Sequence, residues 1–78
     1  MTNLEKYNEI FTNRFNPNGV DLDQLTNQSV QLWDSVGHMG LIAELEECFN
    51  IRLDTFDIID FSSYCKGKEI LLQYGIVL

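Results

Sequence analysis

The chain is short of basic residues. Five lysines and arginines stand against twelve aspartates and glutamates, a formal net charge of −7. Nucleic-acid binding and polybasic membrane anchoring both need clustered Lys and Arg, and the composition argues against both. Cysteine is scarce too. Cys48 and Cys65 are the only two, too few for the staple framework of a small secreted domain. They are expected as free thiols of a cytosolic protein. No apolar run approaches the ~20 residues of a membrane span. The opening Met-Thr-Asn-Leu-Glu-Lys lacks the charged-then-apolar layout of a secretory signal. Internal repeats, low-complexity tracts and linkers are absent as well. What remains is 78 residues of which 45% are apolar, enough for one folded domain over residues 1–78 with a thin core.

The apolar spacing is helical. Over residues 3–15, Leu4, Tyr7, Ile10, Phe11 and Phe15 share one face of an amphipathic helix. Thr2 or Asn3 can cap it, and Glu5 suits its first turn. Asn16-Pro17-Asn18-Gly19 ends it. Residues 20–34 form a long connection anchored by Val20, Leu22, Leu25, Val30, Leu32 and Trp33, with a short turn of helix at 22–25. Trp33 is read as a packing anchor. A second helix over 35–49 follows, with Asp34 or Ser35 as its N-cap. Its expected apolar stripe is Val36, Met39, Ile42, Ala43, Leu45, Cys48 and Phe49. Gly37 and Gly40 weaken it by roughly 1 kcal/mol each relative to Ala, so each requires a reason such as close approach of another backbone or of a partner. A short helix near 56–60 and a last helix over about 63–74 complete the chain. Ser62 or Ser63 caps the last helix, Tyr64, Ile70, Leu71 and Tyr74 face inward, and Gly75 stops it. The apolar tail, Ile76-Val77-Leu78, is expected to fold back. The fold class is therefore all-α: a small bundle of three main helices plus one short helix, with a long loop after the first.

Charge is unevenly placed. From Asp34 to Asp60 there are seven acids and one base, Arg52, a net −6. A field of one sign steers basic partners to that face, although an ordinary solvated surface looks the same.

The stretch Trp33-Asp34-Ser35-Val36, followed by Leu45-Glu46-Glu47-Cys48-Phe49-Asn50-Ile51, resembles the acyl carrier protein family. Phe61-Ser62-Ser63-Tyr64 with Ile70-Leu71 is similar to that family's last helix, so the resemblance spans about residues 30–76. It implies a four-helix carrier fold of the discrete type, without catalytic activity. Ser35 would carry a 4′-phosphopantetheine arm, added from coenzyme A by a phosphopantetheinyl transferase, and the arm would hold an acyl group as a thioester. A serine at a helix start suits this, because backbone N–H groups and the helix dipole favour the new phosphodiester. Asp34, Val36, Glu44, Glu46 and Glu47 would contact basic patches on acyl-activating, acyltransferase or synthase enzymes. Met39, Ile42, Leu53, Ile58 and Phe61 would line a pocket for the acyl chain. The carrier would be a cytoplasmic monomer serving fatty-acid or lipid biosynthesis or another dedicated pathway. Trp33, Gly37, His38 and Gly40 depart from the family pattern and favour the dedicated pathway.

Rival readings differ in class. An aminoacyl, peptidyl or D-alanyl carrier would use the same serine. A carrier-like module without an arm would only bind a partner, and Ser35 would then be a plain N-cap. Catalysis by Ser35 and His38, three apart on one face, lacks a third orienting residue and an oxyanion loop. His38 is read instead as a surface residue beside the arm. His38, Cys48 and Cys65 match no zinc spacing, so no metal is expected. Glu44 and Glu47 share a face but read as solvated surface rather than paired catalytic carboxylates.

Overall fold

Residues 2–15, 21–28 and 31–78 are described in a computed structural model. Their first helix, α1 (Asn3–Phe15), starts with a reciprocal cap. The Glu5 N–H donates to Thr2 Oγ1 at 3.1 Å, and the Thr2 N–H donates to Glu5 Oε1 at 3.0 Å. Two of the orphan donors at this helix end are thereby satisfied. Bonds from Thr2, its backbone N–H first and its side chain second, hold the Glu5 carboxyl below its ordinary range. Tyr7, Ile10, Phe11 and Phe15 are buried, so the expected face of α1 is the one that meets the core. The turn at Asn16-Pro17-Asn18-Gly19 and the anchors Val20 and Val30 lie outside the described residues.

The connection that follows is stitched to the far end of the chain. A 3-10 turn at Leu22–Gln24 occupies the expected place. Leu25 C=O accepts from the Tyr64 N–H at 3.0 Å, and Ser62 C=O accepts from the Asn27 N–H at 2.9 Å. An isolated bridge joins Thr26 and Ser63. Leu25 and Trp33 are buried anchors, Leu22 packs against the core, and Leu32 is exposed, contrary to expectation.

Three more helices follow: α2 (Ser35–Phe49), α3 (Thr55–Asp60) and α4 (Tyr64–Gln73). α2 ends at Asn50 in the left-handed region (φ 55°), a conformation that asparagine tolerates well. The Glu46 carboxylate then accepts from the Leu53 N–H at 2.9 Å, folding the chain toward α3. Ser63, rather than Ser62, caps α4 by accepting from the Lys66 N–H at 3.0 Å. Gly75 follows α4 at φ +83°, and Ile76 and Leu78 pack back on the core. The described residues form an all-α fold of four helices, without a regular sheet. None of their helices is long and apolar enough to cross a membrane.

The α2 stripe is rotated from the expected one. Leu41, Ile42 and Leu45 are buried and Phe49 packs beside them, whereas Val36, Met39, Ala43 and Cys48 are exposed. The helix is apolar on two sides, and periodicity alone does not say which side meets α1. The glycines supply the missing constraint. A Cβ on Gly37 would lie 2.1 Å from the backbone oxygen of Leu32, and one on Gly40 would lie 2.5 Å from an Arg14 Nη. Arg14 itself pairs with Glu44, Nε to Oε1 at 2.7 Å, joining α1 to α2.

Aromatic rings fill the centre. Phe11 touches Tyr7, Phe15, Trp33, Phe61 and Tyr64, with centroids 4.8–6.4 Å away. The buried Tyr7 hydroxyl donates to Tyr64 C=O at 2.6 Å, and the Tyr64 hydroxyl donates to Asn8 Oδ1.

Candidate functional site

The site begins with a division of labour between adjacent residues. Asp34 is the N-cap of α2, in extended backbone, and its Oδ1 accepts from the Gly37 N–H at 2.8 Å. Its carbonyl accepts from the His38 N–H at 2.8 Å. Ser35 is therefore the first helical residue rather than the cap. Its hydroxyl is exposed and has no hydrogen-bond partner among the described residues. With Gly37 satisfied by Asp34, the Ser35 and Val36 amides of the helix start have no hydrogen-bond acceptor among the described residues.

Ser35 stands at an open cleft of about 340 Å³, lined by Asn27, Trp33, Asp34, His38, Ile59 and Phe61 as well. His38 closes the floor between helices. Trp33 Nε1 donates to His38 Nδ1 at 3.0 Å, and His38 Nε2 lies 2.7 Å from Ile58 C=O. The expectation of a plain surface histidine fails here, because the ring is half-buried and both nitrogens are engaged. A sequence signal existed. His38 continues the buried series Leu45, Leu41 and Ile42 by one further helical turn.

Two apolar pairs flank this junction. Val36 (82% exposed) and Met39 (56%) are three apart on α2, and Phe56 (80%) and Ile59 (73%) are three apart on α3. Phe56 and Ile59 escaped the sequence reading of the site, since an apolar residue in a short helix reads as core.

The remaining predicted residues separate by burial. Ile42, Leu53 and Phe61 belong to the core, Ile58 is half-buried, and Met39 lies outside, not in the core as its spacing suggested. Of the acids expected to meet partners, Glu44 is tied to Arg14 and Glu46 to the Leu53 amide, so both have local tasks. Glu47 is exposed. Asp57 accepts from the Tyr74 hydroxyl at 2.5 Å, and that bond pushes the Tyr74 phenol above its ordinary range. Cys48 and Cys65 are free and exposed.

Comparison with family models, with curated proteins and with solved structures finds no match in any of the three.

Proposed function

We propose that this chain is a carrier protein whose Ser35 receives a 4′-phosphopantetheine arm and whose exposed α2 and α3 residues meet the enzymes that load and unload it. One observation carries the reading: Asp34 does the capping, and the Ser35 hydroxyl at the start of α2 is exposed and without a hydrogen-bond partner among the described residues. A serine retained only as a cap would accept a backbone N–H. The surroundings suit the group. The open Ser35 and Val36 amides favour a phosphodiester anion, and the adjoining cleft of about 340 Å³ leaves room for the first atoms of an arm. When attached, such an arm supplies a thiol that forms thioesters. Val36, Met39, Phe56 and Ile59 offer apolar contact to partner enzymes, and the net −6 from Asp34 to Asp60 favours partners with a basic rim.

In the attachment step, Ser35 Oγ forms a bond to the β-phosphorus of coenzyme A. The pyrophosphate bond breaks, 3′,5′-adenosine bisphosphate leaves, and the hydroxyl proton passes to a base of the transferase. Intact mass before and after incubation with coenzyme A, magnesium and a broad-specificity phosphopantetheinyl transferase tests the reading. One arm-sized gain is expected, absent in Ser35→Ala. No gain on the folded protein overturns it. The exposed apolar pairs would then favour the second reading, an interaction module that binds its partner without an arm.

A further inference from the structure

The His38 ring joins three segments at one point. Trp33 approaches from the loop before α2, His38 belongs to the first turns of α2, and Ile58 belongs to α3. An indole N–H can only donate, and a carbonyl oxygen can only accept. Trp33 Nε1 lies 3.0 Å from His38 Nδ1, and Ile58 C=O lies 2.7 Å from Nε2. The partners therefore dictate the tautomer: Nδ1 bears the lone pair and Nε2 bears the hydrogen. The two rings are nearly parallel, 17° between planes at 6.3 Å, and Phe61 meets the imidazole edge-on at 6.4 Å.

A second proton has only one place to go, Nδ1. It would set an N–H against the indole N–H, and that hydrogen bond would be lost. We propose that His38 is a proton-sensitive clasp: neutral, it holds Trp33 and α3 against the start of α2, and protonated, it releases Trp33 and reshapes the cleft beside Ser35. Imidazole is the side chain that gains a proton under conditions nearest neutrality.

The charged groups around the ring are exposed or engaged elsewhere. At the start of α2, the N-cap Asp34 is the one charged residue lining the cleft with His38, and it is exposed and engaged with the Gly37 amide. Its attraction for an imidazolium is screened accordingly. On α3, Asp57 is held by the Tyr74 hydroxyl, and Asp60 pairs with Lys66 at 3.4 Å. From the loop, the cleft is lined by Asn27 and Trp33, which carry no charge. α3 has six residues, and the His38 bond anchors its middle. Release at the ring therefore bears on Ile59, which lines the same cleft. The inference rests on the ring's own contacts and holds whether or not Ser35 carries an arm.

Nuclear magnetic resonance of the unmodified protein between pH 8 and pH 5 tests it. Trp33 is the only tryptophan and His38 the only histidine, so both signals are unambiguous. At pH 8 the ring nitrogens should show the Nε2–H tautomer. As His38 takes up its proton, the indole N–H resonance should shift and lose roughly tenfold of its protection against solvent exchange, read against the intrinsic indole rate at each pH, as the loss of one hydrogen bond requires. His38→Gln keeps a donor and an acceptor but does not titrate, and it should abolish that pH response. An Nδ1–H tautomer at pH 8 overturns the proposal. So does an indole signal that ignores His38 protonation, or one that responds equally in His38→Gln.

Discussion

Single positions at the start of α2 divide into those that hold the fold and those that do not. Asp34→Ala removes a cap bond to the Gly37 amide and should cost about 1 kcal/mol, within the 0.5–2 kcal/mol of such caps. Ser35→Ala removes a hydroxyl with no partner among the described residues and should change stability by less than about 0.5 kcal/mol. Urea midpoints of the two variants check this contrast. It also matters for function, because a near-neutral Ser35→Ala makes any loss of modification a chemical effect rather than unfolding. Gly37→Ala sets two opposed effects against each other. Alanine gains ~1 kcal/mol of helix propensity over glycine. Its Cβ would lie 2.1 Å from the Leu32 oxygen, and forcing such overlap costs typically ~1–3 kcal/mol. The clash involves backbone, which yields less easily than a side-chain tip, so Gly37→Ala should lower the urea midpoint. A raised midpoint would contradict the contact. The sequence said that Gly37 required a reason, such as a close neighbour, but did not say which. It also left Asp34 and Ser35 open as caps, because their side chains accept equally well.

Elements were legible where one apolar face stood alone. α1 carries a single stripe and was readable from residue spacing, with Thr2 one of its two cap candidates. α3 and α4 were legible as elements, near 56–60 and over about 63–74, the last helix punctuated by a serine cap and Gly75. α2 was legible in extent but not in rotation. Its outward apolar residues, Val36 and Met39, mimic a core stripe, while a histidine stands at the inward end. Leu45→Ala should therefore cost ~2–5 kcal/mol as a buried truncation. Met39→Ala should cost less than about 0.5 kcal/mol as a surface change. Chemical denaturation of the pair decides between the two rotations. Equal losses would restore the stripe that spacing suggested. The same rotation governs the candidate site: the start of α2 near Ser35 could be placed from sequence, whereas the apolar residues of α3 and the His38 junction depend on how α2 turns toward its neighbours.

At the scale of the molecule, stability is concentrated in an aromatic centre that joins the first helix to the last. Tyr7 is its most constrained polar member, with no exposed surface and its hydroxyl 2.6 Å from the Tyr64 carbonyl. Burial pushes its phenol far above the ordinary value, helped by nearby Tyr64 and Cys65. Tyr64 is raised as well, by burial first and then by Asp23 and Cys65. A phenol whose folded value is raised contributes stability that is complete below the unfolded value of about 10. That contribution is lost as pH climbs past it, because the unfolded chain releases the proton more readily. Acid should not touch this contribution. Urea midpoints should therefore fall between pH 9 and pH 11, and tyrosinate absorbance should rise together with unfolding rather than before it. Tyr7→Phe separates the ionisation from the packing. It keeps the ring contacts and leaves the Tyr64 carbonyl without its donor, costing about 1–2 kcal/mol at neutral pH. Because phenylalanine cannot ionise, the variant's midpoint should then decline less steeply above pH 10 than that of the parent. Parallel declines would place the alkaline weakness elsewhere, in the acidic second half whose self-repulsion grows as lysines lose their charge.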